Sequence, residues 1–517
     1  MVREFLHRIT APKEIARKNG RATLAQFMRS FDGGNLGRLM ADWASSLSSI
    51  DKDVRTDLPA LQTRAKDLFL NNSYARRFVS LCKQNIVGPN GFTLQVKSRD
   101  AKGELDEKAN TIVEDAFYDW ARPENCTVNG RLSFRSVQHL AITNAARDGE
   151  FLIRKVYDKS LKYGFALHVL EPYLIDHTYS AALSNGSHIR MGVELDKWGR
   201  PQAYHLLKRN LAAEVYGVIT TTGDRERVPA SDIYHGFLPD WSFQTRGYTW
   251  LAPAMTHMRM LSRYEFSSLI NAAIAASKLG WFKPDKENPE AMQPDDQDSE
   301  GNGLIDADVG SFGTLPPGMS IEKFDTEYPK EQHEMFVRST LRGVASALGV
   351  SYNLLANDLV GVNYSSIRAG LLDEREQWKD LQAWFTEILL ERVFADWLDM
   401  ALLSGQISIP NARFERLNHP VWTGRRWAWV DPKNDIEAKI LEIQAGLETS
   451  THALAEQGKD LEETYETLAK EKAKAIEYGL NLKIEEIKVS QPVPQAPADP
   501  AREARRILAE LPQNGNH

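Results

Sequence analysis

The run Asp296-Gln297-Asp298-Ser299-Glu300-Gly301 places carboxylates at alternate positions, as a calcium loop does. Such a loop closes on a bidentate Glu at its twelfth position. That position is Ala307, and Pro294 stands where a helix would enter. The run therefore reads as a solvated acidic loop. His333-Glu334 begins like the helix of a zinc protease, but Val337 occupies the place of the second His. No GxxxxGK[ST] segment cradles a phosphate, and no G-x-S-x-G turn presents a nucleophile. The twelve histidines are scattered, and the carboxylates show no spacing for paired acid and base work. This is the pattern of a non-enzyme, with neither metal nor cofactor.

The elements that would position such residues are more telling. The chain has 517 residues, 26% of them charged, enough for roughly two to four core-bearing units. Two cysteines, Cys82 and Cys126, exclude a disulfide scaffold and a cysteine zinc cluster. A net charge of −7 argues against simple charge attraction to nucleic acid. No uncharged apolar run reaches the length of a membrane span, and the first ten residues lack the apolar stretch of a signal peptide. The expectation is a soluble protein of a reducing compartment.

The charge is unevenly spread. Residues 1–40 carry eight Lys/Arg against three Asp/Glu and read as a basic flexible arm. Apolar residues at three- and four-residue steps predict helix over 57–87, broken at Asn71-Asn72 and stopped at Gly88-Pro89. A strand at 92–96 and helices at 104–121 and 134–147 follow. A meander of strands is predicted at 150–157, 165–170, 189–195, 203–207 and 233–237. The first 250 residues thus read as one α+β unit.

A long helix is predicted over 251–280. Residues 281–330 then hold six prolines and twelve Asp/Glu against four Lys/Arg, with short strands at 303–305 and 320–324. A second helix, 330–348, closes the hairpin around this insert. A loop rich in Gly and Asn, 357–366, precedes an unusually long helix to Leu403. Strands and loops over 406–430 and helices at 434–447 and 451–478 complete the pattern. The tail from Ser490 is rich in Pro and Ala.

Two helices flanking an acidic insert, then a Gly/Asn loop before a long helix, resemble the lambda-type portal family of tailed bacteriophages. Several segments carry the resemblance in order over roughly residues 55–480. They are Asp67-Leu68 through Asn71-Asn72-Ser73-Tyr74-Ala75, Gln84-Asn85-Ile86-Val87-Gly88, Asp148-Gly149-Glu150-Phe151 and Gln244-Thr245-Arg246-Gly247. Ala347-Leu348-Gly349-Val350-Ser351-Tyr352, Asn363-Tyr364-Ser365-Ser366, Ile443–Leu447 and Ala455–Asp460 follow.

The resemblance implies an α+β, predominantly helical portal fold of wing, stem, clip and crown around a central channel. It implies a homo-oligomeric ring, usually of twelve copies, at one capsid vertex of the virion, assembled in the host cytoplasm. Double-stranded DNA would pass through without sequence preference. The terminase large subunit, a head-tail connector or adaptor, and the major capsid or scaffold protein would be partners; a membrane would not. On that reading 1–40 is the flexible arm, 41–250 wing and 251–280 the first stem helix. The clip is 281–330, the second stem helix 331–352, and 353–430 holds the tunnel loop, a long wing helix and wing strands. The crown is 431–489, and 490–517 is a flexible tail.

Asn357, Asp358, Val360, Gly361, Asn363, Tyr364 and Ser365 would form the tunnel loop. Asp295, Asp296, Asp298 and Glu300 would dock partners on the clip. Lys278, Arg338 and Arg342 would either form basic rings in the channel or pair with acidic residues of the neighbouring subunit. The rival readings are a virion scaffold or adaptor unrelated to DNA passage, and a DNA-processing enzyme.

Overall fold

A computed structural model describes residues 48–100, 102–184, 186–209, 221–276, 330–361, 364–409, 413–427, 432–456 and 461–479, together with four short strands between 280 and 323. The basic arm 1–40 and the tail 490–517 lie outside the described residues.

Helix α1 runs Ile50–Asn71, starting earlier than apolar spacing predicts because Ser49 caps it and Asp51 and Asp53 occupy its first turn. Asn72 leaves the helical conformation, and its side chain accepts from the Ala75 amide to start α2, Ser73–Cys82. A π turn, Lys83–Val87, ends at Gly88. Strand β1 (Thr93–Val96), α3 (Glu107–Trp120), α4 (Pro123–Cys126) and α5 (Phe134–Asp148) follow.

The strands form two main sheets. In the first, β2 (Glu150–Tyr157) lies between β3 (Phe165–Leu170) and β9 (Ile233–Phe237), all antiparallel. The second is a five-stranded meander: β4 (Ala181–Ala182), β5 (His188–Arg190), β6 (Val193–Leu195), β7 (Pro201–Arg209) and β8 (Thr221–Pro229). The strand expected at 189–195 is therefore two, split where Met191 takes a positive φ of 46° beside Gly192. Strand β8 escaped the sequence reading, because charged residues break its alternation.

Helix α6, Met255–Ala276, is shorter than the predicted 251–280, because a 3-10 turn at Ala252–Ala254 precedes it and strand β10 (Gly280–Pro284) begins soon after it. The insert adds β11 (Asp296–Gln297), β12 (Gly303–Leu304) and β13 (Met319–Lys323); β10 pairs with β13, and β11 with β12. Helix α7 runs Lys330–Ala347 and α8 Tyr352–Ala356. The long helix is interrupted: α9 (Tyr364–Phe385) passes through a π turn, Thr386–Leu390, into α10 (Glu391–Leu403). A short α11 (Phe414–Leu417) and β14 (Pro420–Thr423) lead to α12 (Pro432–Gln444), α13 (Ser450–Glu456) and α14 (Leu461–Glu477). The last two replace the single helix predicted over 451–478, and Thr449 caps α13 through the His452 amide.

One aromatic cluster joins the two ends of the chain. Phe117 of α3 meets Trp120, Phe134, Phe394, Trp397 and Trp422 with ring centroids 4.9–5.8 Å apart. Strand β14 pairs antiparallel with β1, Thr93 opposite Thr423. Burial of each such ring contributes about 1.5–3 kcal/mol. Residues 391–423 thus complete the core that 50–170 begin, so the N-terminal 250 residues are not a self-contained unit.

Candidate functional site

Two of the segments carrying the family resemblance meet in space. Gly149 ends α5 at φ +94°, and a Cβ there would sit 2.1 Å from the Tyr248 carbonyl carbon. A Cβ on Gly247 would sit 2.2 Å from the Gly149 oxygen. Only two glycines allow this approach. It brings Glu150 against Arg246, both fully buried, with Nε 2.9–3.0 Å from both carboxylate oxygens. His235 Nε2 lies 3.0 Å from Glu150, and the Gly247 amide donates to it at 3.1 Å. Arg246 Nη1 also donates to the Met191 carbonyl at 3.0 Å, at the point where the second sheet kinks. Burial alone would raise the Glu150 carboxyl, but Arg246 and His235 outweigh it and hold it down at about 2.

This joint fixes the segment that leads into α6. The helix is then anchored from α2. Asn72 Nδ2 donates to Ser262 Oγ at 2.7 Å, and the Tyr74 hydroxyl donates to Glu265 at 2.9 Å. Met255, Met258, Val344, Ala345 and Leu348 enter the main core, while Tyr264 stacks on His333 and meets Phe336 edge-on. The hairpin of α6 and α7 leaves other apolar side chains uncovered. Phe266 is 64% exposed, Leu269 69%, Met260 58% and Met335 67%.

The loop after α7 has a fastened base and an exposed tip. Asn357 takes the left-handed conformation at φ 54°, ending α8. The Asp358 carboxylate accepts from the Tyr352 hydroxyl at 2.6 Å, from the Val360 amide at 3.0 Å and from Arg338 Nε at 3.0 Å. Those donors, the Tyr352 hydroxyl foremost, lower its pKa. Arg338 also reaches Glu334 at 3.0 Å, and the Arg342 guanidinium lies 5.5 Å over the Tyr352 ring. Leu359 and Val360 project outward. Glu374 of α9 accepts from the Ser351 amide and from Trp378 Nε1, each at 3.2 Å.

The structure thus brings Arg338, Arg342 and Asp358 together within one chain. Arg338 contacts Glu334 and Asp358 of its own chain. Tyr364 and Ser365 belong to the first turn of α9 rather than to the loop. Lys278, Asp295, Asp298, Glu300 and Asn363 lie outside the described residues, and Asp296 is described only as backbone of β11. Sequence reasoning missed Glu334 and Tyr352 as parts of this base. Tyr352 sits in a segment of the family resemblance, but nothing local pairs it with Asp358.

Among the described residues no three His, Cys, Asp or Glu side chains are grouped to hold a metal, and no helix is long and apolar enough to cross a membrane. The arrangement binds and positions helices. Residues 36–382 match the family described as phage portal protein, lambda family. The chain is 33% identical over 464 residues to a probable portal protein of Halomonas phage phiHAP-1, covering 89% of this chain and 88% of that protein. It is 22% identical over 480 residues to portal protein B of Escherichia phage lambda, covering 86% and 90%. Among solved structures it is similar to a chain in the neck of an empty GTA particle computed with C6 symmetry. There the identity is 17% and the TM-score 0.40, over 82% of this chain and 99% of that one.

Proposed function

Because the chain belongs to the lambda family of phage portal proteins, we propose that twelve copies close into a ring at the unique capsid vertex and pass double-stranded DNA during packaging and ejection. Its function is that of a phage portal. On this reading α6 and α7 are stem helices, 281–330 is the clip that docks the terminase motor and later a head-tail connector, and 431–489 is the crown. Asp295, Asp296, Asp298 and Glu300 supply charge for those exchangeable contacts. The loop at 357–361 projects toward the channel, with Arg338 and Arg342 as struts at its base. Assembly takes place in the host cytoplasm, and the finished ring is part of the virion.

The observation that carries the ring is the set of uncovered apolar side chains on the α6–α7 hairpin. Phe266, Leu269, Met260 and Met335 are exposed in one chain. Met260 and Leu269 lie on opposite sides of α6, so the exposed apolar side chains point two ways, as a subunit flanked by two neighbouring copies in a closed ring requires. The net charge of −7 per copy fits a conduit, since a channel lined with unpaired cations would hold the polyanion and stall it. Negative-stain microscopy of the purified protein tests the assignment. Closed rings are expected; monomers or dimers under assembly conditions would overturn it.

A further inference from the structure

The two ends of β2 carry surfaces of opposite chemistry. At the Glu150 end, the last turn of α5 touches both α1 and the entry to α6. The Arg147 guanidinium lies 5.9 Å from the Phe69 ring centroid, and the Trp250 amide donates to the Ala146 carbonyl at 3.3 Å. Next to these contacts a groove of about 410 Å³ opens between α1 and α6. Leu61, Leu68, Met255 and Met260 supply its apolar lining, and Arg64 and Arg259 stand exposed on its two walls. Neither arginine has a hydrogen-bond or ion-pair partner among the described residues. The one lining carboxylate, Asp67, accepts from Asn71 at 2.7 Å. At the far end of β2, about 23 Å along the strand, Tyr157 is 47% exposed, with its ring 5.5 Å from that of Phe165. Asp232 leads into β9, and Asp396 and Asp399 lie three residues apart on α10. Burial and these three carboxylates push the Tyr157 hydroxyl pKa up. Lys155 pairs with Asp396, and Asp232 accepts from the Ser231 hydroxyl at 2.8 Å, while Asp399 and Leu403 are exposed.

We infer that the Tyr157 surface of one copy docks in the α1–α6 groove of the next copy in the ring. The inference rests on the ring reading and names two surfaces that meet in it. The chemistry is complementary. An exposed phenol ring finds aliphatic and thioether walls, and carboxylates around it find two exposed guanidiniums. Tyrosine and arginine anchors carry much of the binding energy at interfaces, and opposite charge fixes their register. The geometry also suits a ring. The two surfaces differ and lie at opposite ends of one strand, so a contact between them is heterologous. Such a contact leaves a free surface on each copy until a closed ring uses them all. Met260, exposed in one chain, is covered by this contact.

Charge exchange between copies tests the pairing. Arg64→Glu with Arg259→Glu reverses the groove, and Asp232→Lys with Asp399→Lys reverses the Tyr157 surface. Each reversed chain alone should keep the wild-type circular dichroism and form about tenfold fewer rings by sedimentation at low salt. Mixing the two reversed chains should restore rings. In alternation, each reversed groove meets a reversed surface and each unaltered groove an unaltered one. Mixing does not repair a folding defect, so rescue separates a contact from a structural role. The single changes Arg259→Glu and Asp399→Lys should follow the same pattern more weakly, and they serve where a doubly changed chain misfolds. Wild-type ring yield from either reversed chain alone would overturn the inference, as would ring loss that mixing leaves unrepaired. The ring reading is judged on the wild type. A wild type without rings overturns that reading and this contact with it, whereas wild-type rings indifferent to both reversals overturn the contact alone.

Discussion

Glu150 and Arg246, 96 residues apart in sequence, meet as a fully buried ion pair in which the carboxylate also takes the Gly247 amide and His235. The pair closes over the contact between Gly149 and Gly247. It ties the end of α5, the kink between β5 and β6, and the entry to α6 into one rigid joint. The joint sets the base of α6 firmly. Here the setting is electrostatic and enclosed, so breaking half of it strands the other half.

Glu150→Gln keeps the shape but leaves Arg246 without its counter-charge. The expected cost is about 3–5 kcal/mol in denaturant unfolding near neutral pH. The folded carboxyl sits at about 2, below the ordinary carboxylate range, so its contribution is complete above pH ~4.3 and is lost as pH falls toward 2. Wild-type stability should decline across that window, and Glu150→Gln should flatten the decline. An equal acid limb in both proteins would count against the pair.

Gly149→Ala places a methyl group against the Tyr248 carbonyl at a backbone angle that favours glycine. Destabilisation beyond about 2 kcal/mol is expected, read by thermal melting at fixed protein concentration. A variant as stable as wild type would mean that the 149–247 contact opens readily.

Asn72→Ala removes the start of α2 and its hydrogen bond to Ser262 of α6 together. The cap alone is worth about 1–2 kcal/mol. Tyr74→Phe removes only the bond to Glu265 and should cost about 1 kcal/mol. Urea unfolding of the two variants orders these effects, and a larger loss for Tyr74→Phe would contradict the anchoring of α6 by Asn72.

Phe266→Asp or Leu269→Asp puts a charge on the uncovered face of α6. Circular dichroism should match wild type, while sedimentation shows monomers in place of rings. Intact rings from both variants would place the subunit interface elsewhere.

Asp358→Ala frees the 357–361 loop from Arg338, Tyr352 and the Val360 amide. Rings and melting temperature should stay as in wild type, while packaged or retained DNA falls. Packaging at the wild-type level would separate this loop from DNA passage.

The sequence by itself determined most of the helices, the two helices around an acidic insert, and the family, through segments kept in order along the chain. Helical periodicity and turn residues are local, so α5, α7 and the break at Asn71-Asn72 are legible without a partner. Only the tertiary structure decided what those segments do. Asn72 reaches α6, Glu150 finds Arg246, Arg338 is spent on Asp358, and β1 pairs with a strand more than three hundred residues away. Each of these depends on where the backbone returns, which local patterning does not encode. The split of β5 from β6 was hidden for the same reason, because Arg246, from a distant segment, donates to the Met191 carbonyl between them.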